Sequence, residues 1–132
     1  MKKNILVVDD EDNILNSISV VIKMAGYEVE TARNGQEAFN KVNEALKKGN
    51  PFDLVLTDVL MPYMDGIGLM EKLNHKNMTI PVFVISGNGD KNTLMELLRR
   101  GCVDFIYKPF ESENLVQRIN NYFDKQLNEI NS

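Results

Sequence analysis

Residues 5–12 read Ile5-Leu6-Val7-Val8-Asp9-Asp10-Glu11-Asp12, a short apolar run rich in β-branched residues that stops abruptly at four acids. A run apolar at every position, rather than at alternate ones, suits a strand buried on both faces. Directly after it Ile14, Leu15, Ile18, Val21, Ile22 and Ala25 recur at helical spacing, and Gly26 supplies the stop. A buried strand, a polar junction and an amphipathic helix form the unit that the rest of the chain repeats.

A short strand near residues 28–31 precedes a helix carrying Ala38, Phe39, Val42, Ala45 and Leu46, which ends near Gly49-Asn50-Pro51. Leu54-Val55-Leu56-Thr57 is a third strand, and the helix after it covers residues 66–73. Pro81 introduces a fourth strand, Val82-Phe83-Val84-Ile85, and Leu94, Met95, Leu97 and Leu98 mark a fourth helix. Phe105-Ile106-Tyr107 is the fifth strand; Leu115, Val116, Ile119 and Phe123 form one face of a last helix, with Ser112 placed as its N-cap. Strict alternation predicts a parallel sheet covered by helices on both faces. Right-handed crossovers narrow this α/β, (βα)5 pattern to a doubly wound, flavodoxin-like five-stranded sheet of order 2-1-3-4-5. One domain is expected over residues 1–124, with residues 125–132 a polar tail or the start of a linker.

The 132 residues suffice for one domain with a real core. At 43% apolar and 26% charged the composition is that of a soluble globular protein. A formal charge of −4, with no basic stripe on any segment, argues against direct nucleic-acid binding. Lys47-Lys48 and Arg99-Arg100 read as solvated helix ends. The single Cys102 reads as a buried thiol, which suits a reducing compartment. Four apolar residues after Met1-Lys2-Lys3-Asn4 are too few for a signal peptide or membrane span, so the expected location is the cytoplasm.

In doubly wound sheets ligands bind at the carboxyl ends of the strands, at the switch point between the first and third. The residues just past each strand are therefore informative: Asp9-Asp10-Glu11-Asp12, then Asp58, then Ser86-Gly87-Asn88-Gly89-Asp90, then Lys108-Pro109. Strands lie roughly 4.8 Å apart, so Asp9, Asp10 and Asp58 should converge. Converging carboxylates repel, and either their pKa values rise or a cation joins them. Oxygen-only ligands favour a hard ion such as Mg²⁺. Glu11 and Asp12 read instead as partners of the following helix N-terminus. That bland reading does not explain why a lysine and a serine arrive at the same rim as the other three acids.

The segments Val7-Val8-Asp9-Asp10-Glu11, Thr57-Asp58-Val59-Leu60-Met61-Pro62-Tyr63-Met64-Asp65-Gly66, Ile85-Ser86-Gly87 and Tyr107-Lys108-Pro109-Phe110 resemble those of bacterial response-regulator receiver domains, in order and spacing, over residues 4–124. The resemblance implies a phosphoacceptor at Asp58, Mg²⁺ held by Asp10 directly and by Asp9 through a bound water, and a further ligand in the backbone carbonyl of Leu60. It implies that Lys108 pairs with Asp58 and then with phosphoryl oxygens, and that Ser86 hydrogen-bonds the phosphoryl group. Phe105 resembles the family's aromatic switch position, and Pro109 a position where the peptide bond is often cis. The implied partners are a sensor histidine kinase or histidine phosphotransfer protein, and an effector or second copy meeting the surface of helix four, strand five and helix five. On this reading the chain is not an enzyme but a switch that assists its own phosphorylation and dephosphorylation.

Ser86 and Phe105, on adjacent strands, are the expected two-state element, and Met95, Arg99, Asp104 and Arg118 the candidate contacts of the switched surface. Leu60 and Asn88 flank the acceptor and should tune the access of water, while Gly87 loosens its loop. His75 reads as solvated, the methionines as packing, and Tyr63 and Tyr107 as packing or partner contacts. A flavin-binding flavodoxin would need a phosphate-cradling loop where four acids stand. A haloacid-dehalogenase-type phosphatase using Asp10 is the alternative, since Asp10-Glu11-Asp12 is a D-x-D after a strand; nothing beyond Lys108 supplies the further acidic pair that class needs.

Overall fold

The computed structural model describes residues 2–59, 65–76, 79–87 and 91–131. Five strands alternate with five helices: β1 Asn4–Val8, α1 Asp12–Met24, β2 Glu28–Ala32, α2 Gly35–Lys47, β3 Leu54–Asp58, α3 Gly66–His75, β4 Val82–Ser86, α4 Lys91–Arg99, β5 Asp104–Tyr107 and α5 Ser112–Asn131. All strand pairs are parallel, in the order β2-β1-β3-β4-β5. This is the topology expected from the alternation.

Every residue of β1 is buried, because helices cover both faces of the sheet centre. Ile5 and Val7 point with Leu54, Leu56, Phe83 and Ile85 toward α1 and α5, whose Leu15, Ile18, Ile22, Leu115 and Ile119 complete one core layer. Leu6, Val8, Val55 and Val84 point the other way, onto Ala38, Phe39 and Val42 of α2, Leu69 and Leu73 of α3 and Leu97 of α4. Each wholly buried Leu or Ile contributes about 1.5–3 kcal/mol of transfer free energy, so the two layers dominate the stability.

Helix ends show where local chemistry decides. Asn34 caps α2 by accepting from the Glu37 N–H at 2.8 Å, while Glu37 accepts from the Arg33 N–H at 3.3 Å. Asp65 caps α3 through the Gly68 N–H at 2.8 Å. Gly26, at φ +101°, ends α1 as its sequence position implies. Ser112 is the first residue of α5 rather than the residue before it. The polar stretch expected as a tail continues that helix to Asn131.

Two further expectations need correction. Glu11 occupies the N-cap position of α1 but its side chain makes no capping bond; Asp9 Oδ1 accepts the Glu11 N–H instead, at 2.9 Å. Arg100 is not a merely solvated helix end, since its half-buried side chain reaches Glu71 of α3 at 2.9 Å and Glu96 of α4 at 2.8 Å. At the two edges of the sheet a long cationic side chain bonds a strand carbonyl. Lys41 of α2 donates to the Thr31 oxygen on β2, and Arg118 of α5 to the Phe105 oxygen on β5.

Candidate functional site

The strand register carries three chemical groups to one place. Ile5 lies opposite Leu54 and Val7 opposite Leu56, so continuing the ladder one step past Val8 and Thr57 sets Asp9 beside Asp58. Both carboxylates thus keep the parity of the α1/α5 core face. On the far side Ser86 lies opposite Tyr107, and the Lys108 N–H donates to the Ser86 carbonyl at 2.8 Å, which aims Lys108 back over β3. Its ammonium stands 3.2 Å from Asp9 Oδ2 and 3.1 Å from Asp58 Oδ2.

Each acid is held differently. Asp9 is 2% exposed, its N–H bonded to Ala32 of β2 and its Oδ1 to the Glu11 N–H. Asp58 is half-buried, and its Oδ1 accepts the Val59 N–H at 2.7 Å. Asp10 is exposed. One oxygen from each of the three lies within 4.8 Å of the others, so a divalent cation fits between them while Asp10 leaves it open to water.

Burial alone would lower the Lys108 pKa, but the hydrogen bond and charge of Asp58, followed by those of Asp9, raise it above the ordinary lysine value. Lys108 is therefore a fixed cation that neutralises part of the acid cluster. Among the described residues no other lysine or arginine pairs with Asp9 or Asp58.

The backbone around Asp58 is more tightly built than its sequence suggests. The Gly66 N–H donates to the Val59 carbonyl at 2.9 Å, so the start of α3 folds back against the end of β3. A Cβ on Gly66 would stand 2.8 Å from the Asp58 carbonyl oxygen and 3.2 Å from the Val59 Cα. The buried Thr57 hydroxyl donates to the same carbonyl at 2.9 Å. Gly66 is thus a sterically constrained position beside Asp58 that reading by residue chemistry missed, since a glycine offers no reactive group. Its only signal was its place in the segment after Asp58.

Ser86, expected beside the acceptor, is buried at the end of β4, and Phe105 is half-buried against the α2–α4 core layer, opposite Val84. Both have the same strand parity and face that layer. The Lys108–Pro109 peptide bond is cis. Gly87 is not sterically required, because a Cβ there meets only the Lys108 Cβ and Cδ at 3.8 and 3.9 Å. Asp104 and Arg118 pair with one another at 3.0 Å. Leu60, Tyr63, Asn88, Met61, Met64 and Met78 lie outside the described residues. Cys102 is buried as expected; burial, then the charge of Asp104, pushes its thiol up to about 11.

The phosphatase alternative loses its geometry here. Asp12, the second acid of the D-x-D, is exposed and pairs with Arg33 at 3.1 Å instead of joining the cluster.

Comparison with known proteins agrees with the geometry. A family model for the response regulator receiver domain matches residues 5–120. Among curated proteins, the transcriptional regulatory protein SrrA of Staphylococcus aureus is 33% identical over 119 residues, covering 90% of this chain and 47% of its own. The two-component response regulator-like PRR37 of Oryza sativa subsp. indica is 36% identical over 120 residues, covering 87% of this chain and 16% of its own. The chain thus spans less than half the length of these relatives. A CheY-like response regulator receiver domain protein from Methanospirillum hungatei superposes with a TM-score of 0.86 at 29% identity, covering 98% of this chain and 99% of that one.

Proposed function

The chain belongs to the response regulator receiver family, the signalling switches of two-component systems, and on that premise we propose that Asp58 is its phosphoacceptor. The observation that carries this is the Lys108 ammonium bridging Asp58 and Asp9, with Asp10 completing an oxygen-only cluster. An Asp58 carboxylate oxygen attacks the phosphorus of a phospho-histidine or small acyl phosphate. The bond from phosphorus to the donor's leaving atom breaks, and an acyl phosphate forms on Asp58.

Each residue has a part that its place gives it. Asp9 and Asp10 with Asp58 would hold Mg²⁺, and the backbone carbonyl of Leu60, which lies outside the described residues, would be a further ligand. The ion, when bound, supplies charge neutralisation to the incoming phosphoryl oxygens. The Val59 N–H fixes the acceptor carboxylate. Lys108, a compact charge on a flexible stem, moves from Asp58 Oδ2 to a phosphoryl oxygen. The Ser86 hydroxyl donates to another. These same groups assist hydrolysis, so the switch resets itself.

Drawing Ser86 toward the phosphoryl group vacates space into which Phe105 turns, and the α4-β5-α5 surface changes with it. That surface exposes Met95, Leu98, Val103 and Tyr107, an apolar set suited to an effector or a second copy. The proposed donor is a sensor histidine kinase or histidine phosphotransfer protein. Among the described residues no helix is long and apolar enough to cross a membrane, and the proposed location is the cytoplasm.

Acetyl phosphate with Mg²⁺ should add one phosphoryl group to the wild type and none to Asp58→Asn, as read by intact mass and peptide mapping. Mapping of the group to Asp10 or Asp9 would overturn the assignment.

A further inference from the structure

Thr57, on β3 one residue before the acceptor, is a polar side chain in an apolar row. It lies opposite Val8 on β1 and Val84 on β4. Both valines belong to the core layer packed by α2, α3 and α4, and Thr57 is as completely buried as they are. Valine has nearly the shape of threonine, suits a strand as well, and asks for no hydrogen-bond partner. Packing alone therefore does not account for the hydroxyl. Its Oγ1 donates to the Asp58 carbonyl at 2.9 Å.

A peptide unit is planar and rigid, so a grip on its oxygen also sets the direction of its N–H. The unit that carries the Asp58 carbonyl carries the Val59 N–H, which donates to Asp58 Oδ1 at 2.7 Å. The last torsion of an aspartate is broad and sets no plane by itself. The plane of the acceptor is set instead by this N–H on Oδ1 and by the Lys108 ammonium, 3.1 Å from Oδ2. Gly66 crowds the same carbonyl oxygen, which leaves the peptide unit little room to rotate.

Resting on the receiver reading above, we propose that Thr57 is a positioning residue for phosphoryl transfer. Its hydroxyl holds the Asp58–Val59 peptide unit so that the Val59 N–H keeps the acceptor carboxylate aligned for in-line attack. The threonine acts only through that unit, because its side chain shares the parity of Val55 and faces the layer opposite to Asp58. Once Lys108 moves to a phosphoryl oxygen, the Val59 N–H is the remaining hydrogen-bond donor to the carboxylate among the described residues. A small misalignment at this group costs rate without costing stability.

The second-order rate constant for phosphorylation of the full chain by acetyl phosphate, at saturating Mg²⁺, tests this beside the thermal melt of each variant. Thr57→Val removes the hydroxyl, keeps the shape, and should react about tenfold more slowly than wild type. Thr57→Ser keeps the hydroxyl and loses a buried methyl, so it should melt lower yet react within about twofold of wild type. The order of rates is then the reverse of the order of packing, which a merely structural role does not produce. Thr57→Ala and Thr57→Ser differ by the hydroxyl alone, and a gap of similar size is expected between them, so the comparison stands even where Thr57→Val folds poorly. Thr57→Val reacting like wild type, Thr57→Ser as slow as Thr57→Ala, or rates that follow the melting temperatures each overturn the positioning role. A wild type that gains no phosphoryl group at Asp58 overturns the receiver assignment itself, and Thr57 then has nothing to position.

Discussion

Replacing Lys108 with Met keeps the length of the side chain and removes the ammonium that Asp9 and Asp58 share. Oxygens of these two acids lie within 4.8 Å of each other, a distance at which two charges repel by about 3.5 kcal/mol at an effective dielectric of 20 and about 0.9 kcal/mol in water. Asp9 is deeply buried and Asp58 keeps only a 14% exposed side chain, so the wet limit is too small. The Glu11 and Val59 N–H groups still hold the carboxylates, so the dry value is too large. A loss of about 2 kcal/mol without metal is expected. With an unfolding entropy near 2.1 cal/mol/K per residue over 132 residues, the Tm falls by about 7 °C. Because the cluster gains a net negative charge, Mg²⁺ should raise the Tm of Lys108→Met more than that of wild type. The second substitution Asp58→Asn should restore most of the loss. The sign with pH comes from the raised folded-state pKa of Lys108. Its contribution is complete below the unfolded lysine value, near 10.4, and is lost as pH rises through the folded value. The alkaline limb of wild-type stability above about pH 10 should thus flatten in Lys108→Met. Thermal melts in chelator and in Mg²⁺ measure all of this. Equal Tm values in chelator would refute the shared-cation reasoning.

Asp10→Asn removes an exposed member of the cluster, so the metal-free protein should be unchanged or up to about 1 kcal/mol more stable, and its Tm should respond far less to Mg²⁺ than that of wild type. Equal responses would place the ion elsewhere. Gly66→Ala forces a Cβ against the Asp58 carbonyl at 2.8 Å, where rigid backbone must shift. A loss of about 1–3 kcal/mol in urea unfolding is expected, with slower uptake of phosphoryl from acetyl phosphate; normal stability and rate would show the turn to be compliant. Ser19 of α1 buries a hydroxyl that has no hydrogen-bond partner. Ser19→Ala should stabilise by about 1 kcal/mol without altering phosphorylation, and a destabilised variant would reveal a partner for that hydroxyl.

The three central strands, β1, β3 and β4, were legible because burial on both faces leaves runs apolar at nearly every position. Their ends were less so: the ladder continues one residue further, into Asp58 and Ser86, whose polar side chains break the pattern although their backbones stay paired. The convergence of Asp9, Asp10 and Asp58 followed from strand order alone. Residues 125–132 read in sequence as a polar tail or the start of a linker, because no apolar run at helical spacing marks a face there. Yet Lys125, Gln126, Leu127 and Glu129 are good helix formers on an already nucleated helix. The double role of Arg100 was invisible, since its partner Glu71 is distant in sequence and shares no local pattern with it.

The cations at the two sheet edges bear on how the protein behaves when crowded. An open sheet offers rows of unpaired amides that recruit strands from other molecules. Lys41 of α2 and Arg118 of α5 each occupy a carbonyl, on β2 and β5, that an incoming strand would need. Glu28 and Glu30 further charge the β2 edge. A fold that exposes the apolar side chains of Met95, Leu98, Val103 and Tyr107 on α4 and β5 thereby keeps that stickiness from spreading into strand-to-strand aggregation. Neutralising Lys41 and Arg118 together would be the change most apt to turn a dispersed solution into a precipitating one.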